Sequence, residues 1–487
     1  MKTGSRFRPS PGDLPTWIGA AATASALLLV HLQLYRVIAN TQNAAYPQYV
    51  ARNFTAASVL FAAFLVPLLV ARLHVAVPRW SWMLVGVVSL LASVGPMVLH
   101  GLGWGEQATL LYEGQRVPQA GAIFVDLNVV LQSIWCTSLG FDVYQVGNGC
   151  IDPVIYGPGV LWFDWLPVDL RSISVLAAIG VAIAAASALA VGLIAKSSSG
   201  LGVIALLLCV LGAPWLLLLE RGNLDALVIV GGVGAAVVAT RWNRPWSWSL
   251  AAALIWILGT WKYYPFAMGV ALLPVLRIKR GWLVLVGYAL ATAAFLAATW
   301  ETFRSSAQGY EGLLSKDDYV VLGRIPVVAR MIDATFPPEG YQVGDAFIVA
   351  LCAIAVAWGV AFAIRVPFSS YRAPMMGVMG GGLFIAAIVV AGFGWAYKST
   401  FLMLCIPILS LAASYRDRAR AYASMVGIFC AVIGALVVWN TVLATLAGII
   451  AASFALGASI TLVLRRDPSL NASNPQVAPD DRAPARA

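Results

Sequence analysis

Long apolar runs separated by short polar turns dominate the pattern of hydrophobic and polar residues along this chain. Each run is about 15 to 24 residues long and rich in Leu, Ala and Val, which is close to the length a helix needs to cross a bilayer. The runs are continuous rather than alternating, so they predict helices and not the strands of a barrel. We place predicted spans near 17–38, 55–71, 81–100, 172–195, 201–219, 224–240, 247–261, 265–276, 282–299, 346–364, 374–392, 400–414, 422–439 and 441–464.

Charged residues between these runs predict how the chain is oriented. Alternate loops are basic, whereas most acidic residues fall in the other loops, which is the positive-inside pattern. Both termini are therefore predicted to be cytoplasmic. The predicted membrane domain extends over residues 1–466. Residues 467–487 have no apolar periodicity and are predicted to form a disordered cytoplasmic tail.

Two predicted outward segments, 101–171 and 300–345, are long enough to hold structure of their own. Both keep many aromatic residues, and stretches such as 123–139 suit short amphipathic helices lying in the membrane interface. The expected fold is therefore an all-α polytopic membrane protein with about 12–14 transmembrane helices and two sizeable extracytoplasmic loops.

Composition excludes a soluble domain. The chain has 487 residues, of which 61% are hydrophobic and only 11% charged, and its mean hydropathy is +0.84. The formal net charge of +10 does not indicate nucleic acid, because no basic stripe is interleaved with aromatic residues. Cys136 and Cys150 both lie in the first outward segment, where an oxidising compartment permits a disulfide between them. The isolated histidines and the absence of a CxxC motif give no indication of a metal site.

Ionisable and aromatic residues recur at the predicted outer ends of helices, in short elements rather than in the middle of spans. Single aromatic or basic residues there are usually interfacial anchors. This explanation does not apply to a carboxylate between apolar neighbours, as in Val125-Asp126-Leu127, because a carboxylate does not anchor a helix at the interface. One carboxylate with several cations and aromatic rings suits a lipid-linked anionic ligand and a sugar, since cations pair with phosphate and a carboxylate can accept a hydroxyl proton. The elements concerned contain Asp126, Asp142, Tyr144, Tyr156, Glu220, Arg221, Asn223, Lys262, Tyr263, Tyr397 and Lys398.

The order of these elements, VDL, GFDVY, YGP, ERGN, WKYYP and WAYKST, resembles the GT-C superfamily of membrane glycosyltransferases. It is most similar to the polyprenol-phosphate-mannose-dependent mannosyltransferases of glycosyltransferase family 87 and their uncharacterised relatives. The resemblance extends over roughly residues 80–415 as scattered short motifs. The sequence differs from the family's G-Q-x-N turn, where Arg221 replaces the Gln, and Trp395 to Lys398 replace a late His-rich element.

The resemblance implies a GT-C-like bundle that transfers one sugar, mannose or another pyranose or furanose, with inversion. The donor would be a polyprenyl-phosphate sugar, the acceptor a lipid or glycan, and the site the outer face of a bacterial inner membrane. Asp126 matches the family's catalytic base and would be ionised beside a cation. No cofactor besides the lipid-linked donor, and no divalent metal, is required by the residues.

The remaining residues are expected to bind donor phosphate or sugar, or to order the loops around the site. Binding is expected of Arg221, Asn223, Lys262, Tyr263, Tyr397 and Lys398. Loop ordering, or a second acidic role, is expected of Asp142, Tyr144, Tyr156 and Glu220. Two alternatives stay open: a polysaccharide polymerase or ligase with the same outer site, and a lipid-linked sugar transporter or flippase, which would show repeats and charges on broken helices.

Overall fold

The computed structural model describes residues 78, 80–102, 124–145, 147–151, 154, 156–165, 173–304, 321–322, 343–364, 366, 370–389, 394–414 and 441–465. The predicted spans at 17–38, 55–71 and 422–439, the tail 467–487 and most of the segment 300–345 lie outside these residues.

Helices make up nearly all of the described chain. The α-helices are α1 (Ser81–Gly101), α2 (Val125–Ser138), α3 (Ile173–Lys196), α4 (Gly200–Val210), α5 (Ala213–Glu220), α6 (Asp225–Trp242), α7 (Pro245–Lys262), α8 (Trp282–Ala298), α9 (Val343–Ala363), α10 (Arg372–Val389), α11 (Ile406–Ser414) and α12 (Thr441–Leu464). Three 3₁₀ helices, η1 (Pro158–Phe163), η2 (Tyr264–Arg277) and η3 (Ala396–Cys405), complete the set.

The helix boundaries follow local signals in the sequence. α6 ends at Asn243, which adopts the left-handed conformation with φ 47° and ψ 40°, a position that Asn tolerates well. Pro245 then occupies the first turn of α7, where a missing N–H costs nothing. η2 likewise has a proline, Pro265, in its first turn, and it contains Pro274. The apolar pattern therefore locates these helices, and Pro and Asn determine where they begin and end.

The predicted span 201–219 is broken into two helices in the structure. It consists of α4 and α5, which are bent by 51° at the break between them. Gly212 and Pro214 lie at this break. Because proline has no N–H and its ring clashes with the carbonyl of the preceding turn, Pro214 favours a break at this point.

Four helices in the described part of the chain are long and apolar enough to cross a membrane: Ser81–Val98, Ser174–Lys196, Asp225–Trp242 and Ala346–Ala363. The bent pair α4 and α5 makes five if it is one span. Large apolar side chains on these and neighbouring helices remain exposed, among them Leu91, Leu290 and Val349, and α8 has no buried residue at all. Exposed apolar surface of this extent is typical of helices that face lipid.

The opposite ends of the bundle differ in their polar residues. At one end, Arg465 donates from Nη1 to the carbonyls of Ala363, Ile364 and Val366 at 3.1, 3.2 and 2.8 Å, so it caps the end of α9 from the end of α12. Arg277 donates to the carbonyl of Arg465 at 2.6 Å. Basic side chains therefore join helices at this end, whereas the carboxylates described below gather at the other.

A short antiparallel bridge links two distant parts of the chain. β1 (Val321–Leu322) pairs with β2 (Gly394–Trp395), with Val321 opposite Trp395 and Leu322 opposite Gly394. β1 belongs to the segment 300–345, and β2 leads directly into η3. The bridge therefore holds part of that segment next to Tyr397 and Lys398.

Candidate functional site

A cluster of charged and polar side chains lies where the ends of several helices meet. α2 and α6 begin there, α5 and α7 end there, and η2 and η3 follow with their first residues. We call it the polar cluster, and its members are Asp126, Glu220, Arg221, Asn223, Asp225, Lys262, Tyr264, Tyr397 and Lys398.

Asp126 forms a two-point ion pair with Arg221. Arg221 Nη2 lies 2.6 Å from Asp126 Oδ1, and Nε lies 3.0 and 3.1 Å from Oδ1 and Oδ2. Asn223 Nδ2 donates to Asp126 Oδ2 at 2.5 Å. Burial alone would lower the pKa of Arg221, but the hydrogen bond and charge of Asp126 outweigh it, so the pKa of the guanidinium is raised above its ordinary value.

The turn between α5 and α6 holds this pair in place through the backbone. The N–H of Phe124 donates to the carbonyl of Glu220 at 2.7 Å, and the N–H of Asp126 donates to that of Arg221 at 3.0 Å. These bonds satisfy amides at the start of α2 that have no partner within the helix. The first turn of α2 is therefore docked on the turn that carries Arg221.

A second ion pair joins Lys262 and Asp225. Lys262 Nζ lies 2.7 Å from Asp225 Oδ1, and the Asp225 side chain is completely buried. The Tyr264 hydroxyl donates to the same oxygen. A buried carboxylate needs a charge partner and hydrogen bonds. Lys262 and Tyr264 supply these at Oδ1, whereas Oδ2 has no hydrogen-bond partner in the part of the chain that the structure describes.

Asn223 connects the two ion pairs. Its Oδ1 accepts from Lys262 Nζ at 2.6 Å and from the N–H of Asp225 at 2.9 Å. Its Nδ2 donates to Asp126 and also to the Tyr397 hydroxyl, at 2.8 Å. The amide therefore has a fixed orientation, with oxygen towards Lys262 and nitrogen towards Asp126.

Aromatic rings line the cluster beside its cations. Lys262 Nζ lies 5.0 Å from the centre of the Tyr156 ring, and Lys398 Nζ lies 5.3 Å from that of Tyr264. Both distances are within the range of cation–π attraction. Lys398 is 4% exposed and Tyr397 3%, so η3 contributes buried groups rather than interfacial anchors.

The loop after α2 covers the cluster near Tyr156. A disulfide joins Cys136 to Cys150, whose Cα atoms are 6.1 Å apart, within the usual range for such bonds. Asp142 is exposed and its Oδ1 accepts from the N–H of Tyr144 at 3.1 Å. The Tyr144 hydroxyl donates to the carbonyl of Tyr156 at 3.1 Å, and burial, with smaller contributions from Tyr263 and Asp142, raises the pKa of this hydroxyl.

Glu220 is a buried member of the cluster. It is 4% exposed, and its Oε2 has no hydrogen-bond partner in the part of the chain that the structure describes. Its backbone carbonyl, by contrast, accepts a hydrogen bond from the N–H of Phe124. The structure therefore shows Glu220 ordering the start of α2 through its backbone.

Tyr263 lies outside the polar cluster, and its expected binding of donor phosphate or sugar stays a prediction. Its backbone has φ 58°, and its ring packs against Phe295 and Phe303, with centroids 6.2 and 5.0 Å away. The neighbouring Tyr264 takes its place beside Asp225. The direction of successive side chains at a helix end depends on the backbone angles there, which the WKYYP element by itself does not specify.

Asp225 is the residue that the sequence pattern did not single out. It follows Asn223 by two positions at the start of α6, where an acidic residue is common because it interacts favourably with the helix dipole. Its complete burial and its pair with Lys262 depend on α7 packing beside α6, and only the tertiary structure shows that contact.

Among the described residues, no group of three metal-binding side chains occurs. No protein-family model, curated protein or solved structure matches the chain. The fold and the site therefore define a helical protein with membrane-spanning helices and a buried network of charges at one end of its bundle.

Proposed function

We propose that this protein is an inverting glycosyltransferase of the bacterial inner membrane, which moves a sugar from a polyprenyl-phosphate carrier to a lipid or glycan acceptor on the outer face. The observation that carries the proposal is the buried network in which Asn223 links the Asp126–Arg221 pair to the Asp225–Lys262 pair. It combines a carboxylate with cations and aromatic rings at the ends of apolar helices, as a lipid-phosphate-linked sugar requires.

In this proposal Asp126 is the general base. Of the two ion-paired carboxylates it is the more accessible, because its side chain is 11% exposed and that of Asp225 is 0% exposed. A base must reach the hydroxyl whose proton it accepts. Arg221, Lys262 and Lys398 supply positive charge for the leaving phosphate, and Tyr156 and Tyr397 supply surfaces for the sugar.

The proposed architecture is a GT-C-like bundle of about 12–14 spans with both termini in the cytoplasm. Its support is the distribution of charge between the two ends of the bundle. The carboxylates of the polar cluster lie at the end predicted to face outwards, while Arg277 and Arg465 join helices at the other end.

The test is to incubate membranes containing the protein with a panel of radiolabelled polyprenyl-phosphate sugars. We expect one donor to label a new glycolipid or glycan, and the label to resist mild acid that cleaves polyprenyl-phosphate sugars. Membranes from cells carrying Asp126→Asn serve as the control. Failure of every donor to label an acceptor while purified protein also fails to bind polyprenyl phosphate would contradict the proposal.

One observation favours a second candidate, a transporter of lipid-linked sugars. The bend of 51° between α4 and α5 is a broken helix, and broken helices at a binding site are typical of secondary transporters. The two functions differ in their product. A transporter moves the labelled lipid across the membrane of a proteoliposome unchanged, whereas a transferase forms a new glycosidic bond.

A further inference from the structure

Arg221 is bonded to both oxygens of the Asp126 carboxylate in the structure. A carboxylate has about four lone-pair sites. The single Nε–H of Arg221 lies between Oδ1 and Oδ2, Nη2 of Arg221 donates to Oδ1, and Asn223 donates to Oδ2. A general base must accept a hydrogen bond from the hydroxyl that it deprotonates. Three N–H groups hold the carboxylate, two of them from Arg221, so departure of the guanidinium would free acceptor positions on both oxygens for this hydroxyl.

We propose that Arg221 is an exchangeable partner: the phosphate of the lipid donor takes the guanidinium from Asp126, and this exchange opens Asp126 to the acceptor hydroxyl. The inference rests on the proposed function and adds the order of two events, binding of the donor and deprotonation of the acceptor. Donor phosphate activates the base, so the acceptor is deprotonated only at a site that already holds a donor.

Arg221 is better suited to leave than Asn223. Asn223 is held by Lys262, by the N–H of Asp225 and by the Tyr397 hydroxyl as well as by Asp126. Arg221 lies at the open side of the network, with a side chain 14% exposed. A guanidinium binds phosphate through the same two-point geometry that it uses with a carboxylate, so the exchange keeps its hydrogen bonds.

Lys262 is a poor candidate for the same exchange. Its partner Asp225 is completely buried, and removing a cation from a buried carboxylate is strongly destabilising. Asp126 is partly exposed, and the acceptor hydroxyl can replace one of the hydrogen bonds that Arg221 gives up. Loss of its cation would leave Asp225 buried without a charge partner, whereas Asp126 could still bond to the acceptor hydroxyl.

The backbone of the turn need not move. The carbonyl of Arg221 accepts from the N–H groups of Asp126 and Leu127 at 3.0 and 3.3 Å. These bonds keep the turn docked on α2 while the side chain rotates. The exchange is thus a local change of side-chain partner.

In the reaction, a lone pair of the acceptor oxygen forms the bond to the anomeric carbon. The bond between that carbon and the phosphate oxygen breaks, and its electron pair leaves with the polyprenyl phosphate. The hydroxyl proton passes to Asp126. Arg221 pairs with the phosphate throughout, and release of the lipid and the proton restores the Asp126–Arg221 pair.

The test measures how readily Asp126 reacts with a membrane-permeant carbodiimide, which modifies accessible carboxyl groups. The full-length protein in nanodiscs is labelled with and without decaprenyl phosphate, and the peptide containing Asp126 is quantified by mass spectrometry. We expect the lipid to raise the labelling rate about tenfold or more, the equivalent of a charge-assisted hydrogen bond. Binding of the lipid is measured separately by native mass spectrometry.

Two variants separate the exchange from a general loosening of the site. Arg221→Gln should be labelled rapidly with or without lipid, because no guanidinium covers Asp126. Arg221→Lys keeps the charge but lacks the two-point geometry, so its labelling should be intermediate and still respond to lipid. Arg241→Gln, at the other end of α6, is the matched control and should behave as the wild type.

The outcomes distinguish this inference from the proposed function. If decaprenyl phosphate binds and sugar transfer occurs, but labelling of Asp126 in the wild type does not change, the exchange is wrong and the transferase stands. If Arg221→Gln is labelled as slowly as the wild type, Arg221 does not cover Asp126. If the lipid does not bind and no transfer is detected, both proposals fail.

Discussion

Asp126 and Asp142 belong to the same outward segment but have different surroundings. Asp126 is buried among charged partners, whereas Asp142 is exposed and accepts from the N–H of Tyr144 two residues away. A side chain that bonds the backbone two positions ahead stabilises a turn. The structure therefore gives Asp142 a local role in the loop, and of these two carboxylates only Asp126 lies within the network.

Asp126→Asn is expected to reduce sugar transfer by about 10²- to 10⁴-fold, since the amide cannot accept the hydroxyl proton and this is the usual contribution of a general base. The measurement is the initial rate with the donor identified by the labelling screen. Asp142→Asn is the matched control and should retain most of the rate. An inactive Asp142→Asn beside a nearly normal Asp126→Asn would reverse the two roles.

At the scale of elements, the turn between α5 and α6 depends on a glycine. Gly222 has φ +61°, and a Cβ placed there would lie 2.9 Å from Leu127 Cβ and 3.0 Å from Phe124 Cδ1. Only glycine adopts this backbone conformation without strain, and here it also allows α2 to approach closely. The turn that carries Arg221 and Asn223 therefore packs against the helix that carries Asp126.

Gly222→Ala is expected to destabilise the protein by more than about 1 kcal/mol, because alanine is strained at positive φ. Gly234→Ala in α6 is the control, since nothing lies within 4 Å of its added Cβ and alanine favours a helix by about 0.5–1 kcal/mol. Thermal unfolding of the purified protein in detergent measures both. Equal melting temperatures for the two variants would mean that the turn tolerates a side chain.

At the scale of the whole molecule, polar and charged groups lie at two ends of the bundle, with apolar surface between them. α8 has no buried residue, and the exposed side chains Leu91 and Val349 are 65% and 67% accessible. Contact with lipid explains these exposed apolar side chains, because their exposure to water is unfavourable. We therefore expect the polar cluster and the Arg465 contacts to lie at opposite membrane faces.

Cysteine labelling tests this orientation. Gln145→Cys lies in the loop after α2 and Ser370→Cys lies just before α10, and both positions are exposed. With a membrane-impermeant maleimide, Gln145→Cys should react in intact spheroplasts and Ser370→Cys only after permeabilisation. The reverse pattern would invert the topology and place the polar cluster in the cytoplasm.

The sequence alone determined the helical class, the approximate positions of the helices and the region of the site. Continuous apolar runs can satisfy their backbone groups in lipid only as helices, so 81–100, 172–195 and 224–240 agree with α1, α3 and α6 to within a few residues. Side-chain type also marked Asp126, Arg221 and Lys262 as candidates, because charges beside apolar runs are costly.

The tertiary structure decided which of these residues meet. Pairing of Asp126 with Arg221 and burial of Asp225 beside Lys262 join residues far apart in the chain, and no local pattern specifies such partners. The choice of Tyr264 over Tyr263 likewise depends on the backbone at the end of α7, where Tyr263 has φ 58°. The apolar pattern indicates which segments form apolar helices, whereas the packing of helix ends determines the charge network, because buried charges must find partners within the folded chain.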